Sequence, residues 1–149
     1  MRIELTDKTI APWRWIAQRE AALLEAGKLS PNGYGATASF VGTMRNFNDG
    51  SDVEAMELIH YPGMTEKELE LIVDECLSQH ETLEAAVIHR TGLIQPSDTL
   101  VIVVVWSAHR KAAFEACRAI MEALKTRAPF WKKELTRDGE RWVAKNTAG

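Results

Sequence analysis

Hydrophobic and polar positions change period several times along the chain, and each change marks an element. Residues 3–5 alternate as a short strand. Over 13–26 the apolar positions Trp13, Ile16, Ala17 and Ala21 return at helical spacing, with Pro12 suited to the first turn and Gly27 to the end. Ser30-Pro31-Asn32-Gly33 reads as a loop, and 35–42 as a strand of small and apolar residues. Residues 45–52 are polar and turn-rich, which predicts a surface loop, and 53–61 predicts a second strand. Thr65 and Glu68 form a capping-box pattern ahead of a helix whose stripe is Leu69, Ile72, Val73, Cys76 and Leu77.

The second half follows the same logic. Residues 85–89 predict a strand, Gln95-Pro96-Ser97-Asp98 a turn, and the β-branched run 99–106 a strand buried on both faces. A long helix is expected over 108–127, with Ala113, Cys117, Ile120, Met121 and Leu124 inward. Pro129 stops it, because the residue before a proline is pushed out of the helical region. Residues 141–144 are expected to close the chain as a strand. The order predicts an α+β fold in which two main helices pack on a mixed or antiparallel sheet.

Composition narrows the class. The chain has 149 residues, 46% hydrophobic and 26% charged, which fits one globular domain spanning 1–149 with a sizeable core. Its apolar run over 101–106 is far short of the roughly 20 residues a membrane helix needs. The charged start Met1-Arg2-Ile3-Glu4 does not read as a signal peptide. Cys76 and Cys117 have neither framework nor zinc-ribbon spacing, so a reduced, cytoplasmic protein is expected.

The net charge of −3 conceals an asymmetry: residues 109–145 hold ten of the 18 Lys+Arg and five of the 21 Asp+Glu, a local +5 against −8 elsewhere. A basic third on an acidic chain argues against nucleic-acid binding and for a localised anion site.

Two places focus that charge. Ser107-Ala108-His109-Arg110-Lys111 opens the last helix, where unpaired N–H groups favour an anion, so a phosphate or carboxylate site competes with a plain solvated turn. Lys125-Thr126-Arg127-Ala128-Pro129-Phe130-Trp131-Lys132-Lys133-Glu134 sets Lys125 and Lys132 seven residues apart across a proline turn. A lysine near other cations has a lowered pKa and serves as acid, base or nucleophile. Against this, 111, 115, 118, 122 and 125 form one polar helical stripe, the ordinary look of a solvated face. His60, His80 and His89 share no metal-ligand spacing, and no metal or cofactor is expected. Both cysteines fall on apolar stripes. The residues alone leave an anion pocket with lysines.

Five segments add a resemblance. Phe40-Val41-Gly42-Thr43-Met44-Arg45-Asn46, His60-Tyr61-Pro62-Gly63-Met64, Val87-Ile88-His89-Arg90-Thr91-Gly92, Ser107-Ala108-His109-Arg110 and the 124–134 segment resemble the large, catalytic subunits of molybdopterin synthase, in order from about 35 to 143. The resemblance implies an α/β-hammerhead type of fold. It implies conversion of cyclic pyranopterin monophosphate to molybdopterin, in molybdenum cofactor biosynthesis. Two dithiolene sulfurs would come from the thiocarboxylate on the C-terminal Gly-Gly of a small ubiquitin-like subunit. It further implies a homodimer within a heterotetramer, some site residues coming from the neighbouring copy. Matched residue by residue, substrate would be bound by Thr43, Met44, Arg45, His109, Arg110, Lys125, Lys132, Lys133 and Glu134, with Lys125 and Lys132 catalytic. Lys133 stands where an arginine is common. The chain ends Asn146-Thr147-Ala148-Gly149, without Gly-Gly, so it is expected to accept sulfur rather than carry it. The competing classes are a phosphate- or nucleotide-binding regulatory module and a persulfide carrier using Cys76 or Cys117.

Overall fold

The computed structural model describes residues 2–48 and 51–143. In chain order the elements are β1 (Ile3–Thr6), α1 (Pro12–Glu25), β2 (Ala36–Thr43), β3 (Phe47–Asn48), β4 (Ser51–His60), α2 (Met64–Gln79), β5 (Glu84–Arg90), β6 (Gly92–Ile94), β7 (Thr99–Ser107), α3 (Arg110–Arg127), β8 (Phe130–Thr136) and β9 (Gly139–Trp142). One sheet runs β1-β5-β7-β2, with β1 parallel to β5 and the other neighbours antiparallel. A second, antiparallel sheet runs β3-β4-β8-β9, with β6 also on β4. Three helices on mixed and antiparallel sheets make an α+β fold.

The side-chain alternation of β7 explains the layering. Val101, Val103 and Val105 join Ile72 and Val73 of α2 and Ala113, Cys117 and Ile120 of α3 in one core. Ile102, Val104 and Trp106 point the other way, against Trp15 of α1 with Ile10 and Leu29. A strand covered on both faces must be apolar at every position, which is why its sequence shows no alternation. The two helices expected to dominate share one face, and α1 covers the other. A smaller core under the second sheet holds Met44, Val53, Met56, Leu58 and Ile94.

Two expectations are corrected, for residues 45–52 and for the closing strand, and two further strands are added. Residues 45–52 are not simply loop: β3 and the start of β4 pair there, Phe47 against Asp52, while residues 49–50 lie outside the described residues. The 130–136 segment is a strand, and so is the short β6. Strand β9 ends at Trp142, and Ala144 and the 146–149 terminus lie outside the described residues.

The cap of α2 also differs. Gly63, at φ 85, is the N-cap, and its N–H donates to Glu66 Oε1 at 3.0 Å. Thr65 is instead fully buried. Its hydroxyl accepts from Tyr61 N at 3.0 Å and donates to the Pro129 carbonyl at 3.2 Å, joining α2 to the proline turn. Glu68, expected to close the box, pairs with Arg127 at 2.9 Å.

Candidate active site

The Pro129 turn lets α3 and β8 bring distant charges together. Ala128 is extended, at ψ 130, as a residue before proline must be, and the chain reverses directly from Arg127 into β8. Arg127 also reaches Glu68 and Glu75 on α2, which holds the last turn of α3 in place. On β8 the residues alternate between two faces, so Phe130, Lys132 and Glu134 share one side. That side, the end of β2 and the last turn of α3 enclose a cavity of about 900 Å³, within the range of small-molecule sites.

Six of the nine substrate positions expected from sequence line it: Thr43, Met44, Arg45, Lys125, Lys132 and Glu134. Lys125 therefore leaves the solvated stripe that periodicity assigned to it, because its last helical turn faces the cavity. Burial, and then the positive charge of Lys125, hold the Lys132 ammonium below the usual lysine range, with Glu134 opposing. Glu134 is only 5% exposed, and Arg141 Nε donates to it at 2.8 Å. The cavity thus combines two close lysines, an arginine and one anchored carboxylate.

The Met44 segment is held by backbone bonds. Met44 N donates to the Asp98 carbonyl and Ser97 N to the Met44 carbonyl, both at 2.9 Å. Asp98 is fixed in turn: its carboxylate accepts from Gln95 N at 2.9 Å and lies 3.5 Å from Arg90. The buried Arg90 also donates to the Leu93 carbonyl at 2.9 Å. This brace delivers Arg45 to the cavity rim.

Three expected positions are elsewhere in the chain. Lys133 points to the other face of β8, 3.5 Å from Glu57 and 3.6 Å from Glu140, with its ammonium over the Trp142 ring. Strand alternation separates it from Lys132. His109 and Arg110 lie exposed at the start of α3. Fifteen helical residues, about 22 Å, divide Arg110 from Lys125.

The sequence reading missed His89 and Phe130 as cavity residues. Their rings stack with centroids 4.3 Å apart. His89 follows Ala85 and Val87 on the side of β5 that faces the α2/α3 core, and a histidine interrupting an apolar stripe was the available signal. Burial holds its pKa down to about 4, Lys132's charge adding to the effect and the Arg90 carbonyl opposing it. The unfolded imidazole titrates near 6.5 and binds more protons across that interval. Stability should therefore be full above pH 6.5 and fall towards pH 4, by up to about 1.4 kcal/mol per unit from this group. Urea midpoints at pH 7 and pH 5 are expected to diverge less in His89→Gln than in wild type. An equal divergence would contradict the assignment.

Cys76 and Cys117 lie in the core, 6% and 7% exposed. Burial pushes both thiols up, Cys117 to about 11, so neither is a ready thiolate. A Cys76→Ala/Cys117→Ala variant is expected to keep its catalytic rate at a stability cost of about 1–2 kcal/mol. A folded but inactive double variant would overturn this. Among the described residues, no three His, Cys, Asp or Glu side chains gather as a metal would require, and no helix is long and apolar enough to cross a membrane.

Comparisons place this geometry among known proteins. The family model described as MoaE protein matches residues 16–127. The molybdopterin synthase catalytic subunit of Ralstonia nicotianae is 54% identical over 124 residues, covering 83% of this chain and 69% of that one. Among solved structures, the molybdopterin biosynthesis MoaE protein of Burkholderia ambifaria superimposes with a TM-score of 0.77 at 43% identity, over 98% of this chain and 91% of that one. The molybdopterin synthase of Staphylococcus aureus does so with a TM-score of 0.83 at 30% identity, over 97% and 98%. With most of its length matched in both sequence and fold, the chain belongs to the MoaE family, that of molybdopterin synthase catalytic subunits.

Proposed function

We propose that this chain is the sulfur-accepting, catalytic half of a molybdopterin synthase, and that its cavity is where cyclic pyranopterin monophosphate becomes molybdopterin. Two sulfurs arrive in turn as thiocarboxylate on the Gly-Gly terminus of a small partner, and each transfer leaves that terminus a carboxylate. The observation that carries this reading is the convergence of Arg45, Lys125 and Lys132 around one cavity in a member of this family. Both reactants are anionic, and fixed cations in a partly dry site oppose developing negative charge more strongly than water does. Lys132, with its lowered pKa, is the residue suited to carry a proton. Thr43, Met44 and Glu134 complete the walls. The reaction belongs in the cytoplasm, where free thiols such as Cys76 and Cys117 persist. Mixing the chain with thiocarboxylated partner and the cyclic pterin is expected to yield a dithiolene-bearing pterin. Binding of the pterin without sulfur transfer would favour a regulatory module instead.

His109 and Arg110 enter this reading through a second copy. In one chain they stand exposed beside Phe114, which is 67% exposed one helical turn beyond Arg110. Such a basic and apolar patch suits burial against a neighbour, delivering the pair to that neighbour's cavity as a phosphate site. Arg110→Ala and Lys125→Ala, each inactive alone, should then recover part of the activity when co-expressed as mixed dimers. Their failure to complement, with mixed dimers confirmed by mass, would leave Arg110 outside the site.

A further inference from the structure

We propose that Arg141 is a positioning residue of the cavity: from β9 it holds the Glu134 carboxylate in one orientation, so that a negative group stands fixed among the cavity's cations and offers acceptors to the N–H groups of the bound pterin ring. The inference rests on the reading above in that it takes Glu134 to meet substrate.

The pairing is built into the sheet. Glu134 and Arg141 are direct partners in the antiparallel register of β8 and β9, so their side chains leave the same face side by side. Arg141 Nε donates to Glu134 Oε1 at 2.8 Å. Strand alternation turns Glu140 and Trp142 to the opposite face, where they meet Lys133. The hairpin is closed by Gly139, at φ 125, and by the Thr136 hydroxyl, which donates to the Gly139 carbonyl at 2.8 Å. Beyond Arg141, Val143 N donates to the Lys132 carbonyl at 2.9 Å, and Val143 itself lines the cavity. Strand β9 therefore ties down β8 at Lys132 and at Glu134.

Burial shows which partner serves the other. The Glu134 side chain is 7% exposed and that of Arg141 35%, so the guanidinium reaches in from the surface to a carboxylate on the cavity wall. On the β4 side Glu134 is paired with buried Met56, whose side chain donates no hydrogen bond. A buried carboxylate is unfavourable without a charged, hydrogen-bonded partner. Arg45, Lys125 and Lys132, also on the wall, suit the anionic ends of the reactants. A mobile carboxylate would swing to those cations and compete with phosphate and thiocarboxylate. Anchored by Arg141, it uses one lone pair on Nε, and a carboxylate offers about four. Those left over match N–H donors, which a pterin ring carries and a phosphate does not.

In the reconstituted complex, Arg141→Met keeps a long stem and removes the donor. It is expected to raise KM for the cyclic pterin about tenfold to thirtyfold, the scale of one charge-assisted hydrogen bond, with kcat within about threefold. Arg141→Lys returns a cationic donor and should bring KM back to within about fivefold of wild type. In a Glu134→Gln background the acceptor's charge is already gone, and Arg141→Met should change KM by less than about twofold. A brace that served only the hairpin would instead weaken both backgrounds alike.

Wild-type KM in Arg141→Met would overturn the inference, as would an equal rise in the two backgrounds or no recovery in Arg141→Lys. Should Arg141→Met not fold, Arg141→Gln keeps a polar head without the charge and should raise KM by at least about threefold. An unchanged KM there would overturn the inference equally. Glu134→Gln alone separates the levels. Wild-type KM and kcat in that variant would fell the reading that Glu134 meets substrate, whereas an impaired Glu134→Gln beside an unaffected Arg141→Met overturns only the role of Arg141.

Discussion

Lys132→Ala is expected to lower molybdopterin formation by about a hundredfold to a thousandfold, the scale of losing one preorganised electrostatic contact in a dry site. Burial and the charge of Lys125 lower the proton affinity of the half-buried ammonium, with Glu134 opposing, and that direction suits a group that exchanges a proton. Lys125→Ala should produce a loss of similar order. The two cations act on one another, so the double variant should lose less than the product of the single effects. Neither change touches the cores beside β7, so thermal unfolding is expected to stay near wild type and the partner should still dock through its globular face. A single-turnover yield near wild type in both variants would remove the lysines from the chemistry.

The second large effect concerns the partner. A small subunit lacking its last two residues should still dock through its globular face and yield no detectable product. Only a terminus without side chains can run into an enclosed channel with backbone packed on every side, which is what Gly-Gly supplies. Its charged end would be drawn towards Lys125, Lys132 and Arg45, so the full-length complex should weaken with added salt more steeply than the truncated one. Product formation by the truncated partner, or equal salt dependence, would mean that the tail does not enter this cavity.

Periodicity was a good guide wherever a residue's environment was the core. The stripes of α2 and α3 and the unbroken apolar run of β7 correspond to the faces they bury. It failed where a face served the cavity. Strand β8 carries Lys132 and Glu134 on its inward side and Trp131 outward, 42% exposed, so its alternation is the reverse of an ordinary half-buried strand. The same inversion hid His89 within β5. The cap of α2 was displaced because Thr65, a good capping residue, is used to hold the Pro129 carbonyl.

For the site, the segment resemblance supplied what spacing alone did not, the choice of Lys125 over the other residues of its stripe. It also carried across Lys133, His109 and Arg110, which strand alternation and the length of α3 hold away from the cavity in this chain. A linear motif encodes neither. Met44 and Arg45 line the cavity, but their support by Asp98 and Arg90 runs through backbone bonds, which leave little trace in residue type.

The central claim, that the partner's acyl terminus meets the substrate beside Lys125 and Lys132, is open to one direct measurement. An activated terminus held next to an amine will sometimes be captured as an amide, and mass spectrometry of the digested complex identifies the lysine. The expected linkage is from the partner's terminal glycine to Lys125 or Lys132, and it should disappear when the partner's tail is blocked. Linkage instead to Lys67 on α2, or to Lys8 or Lys28 near α1, would put the meeting point on another face of the molecule and contradict the assignment.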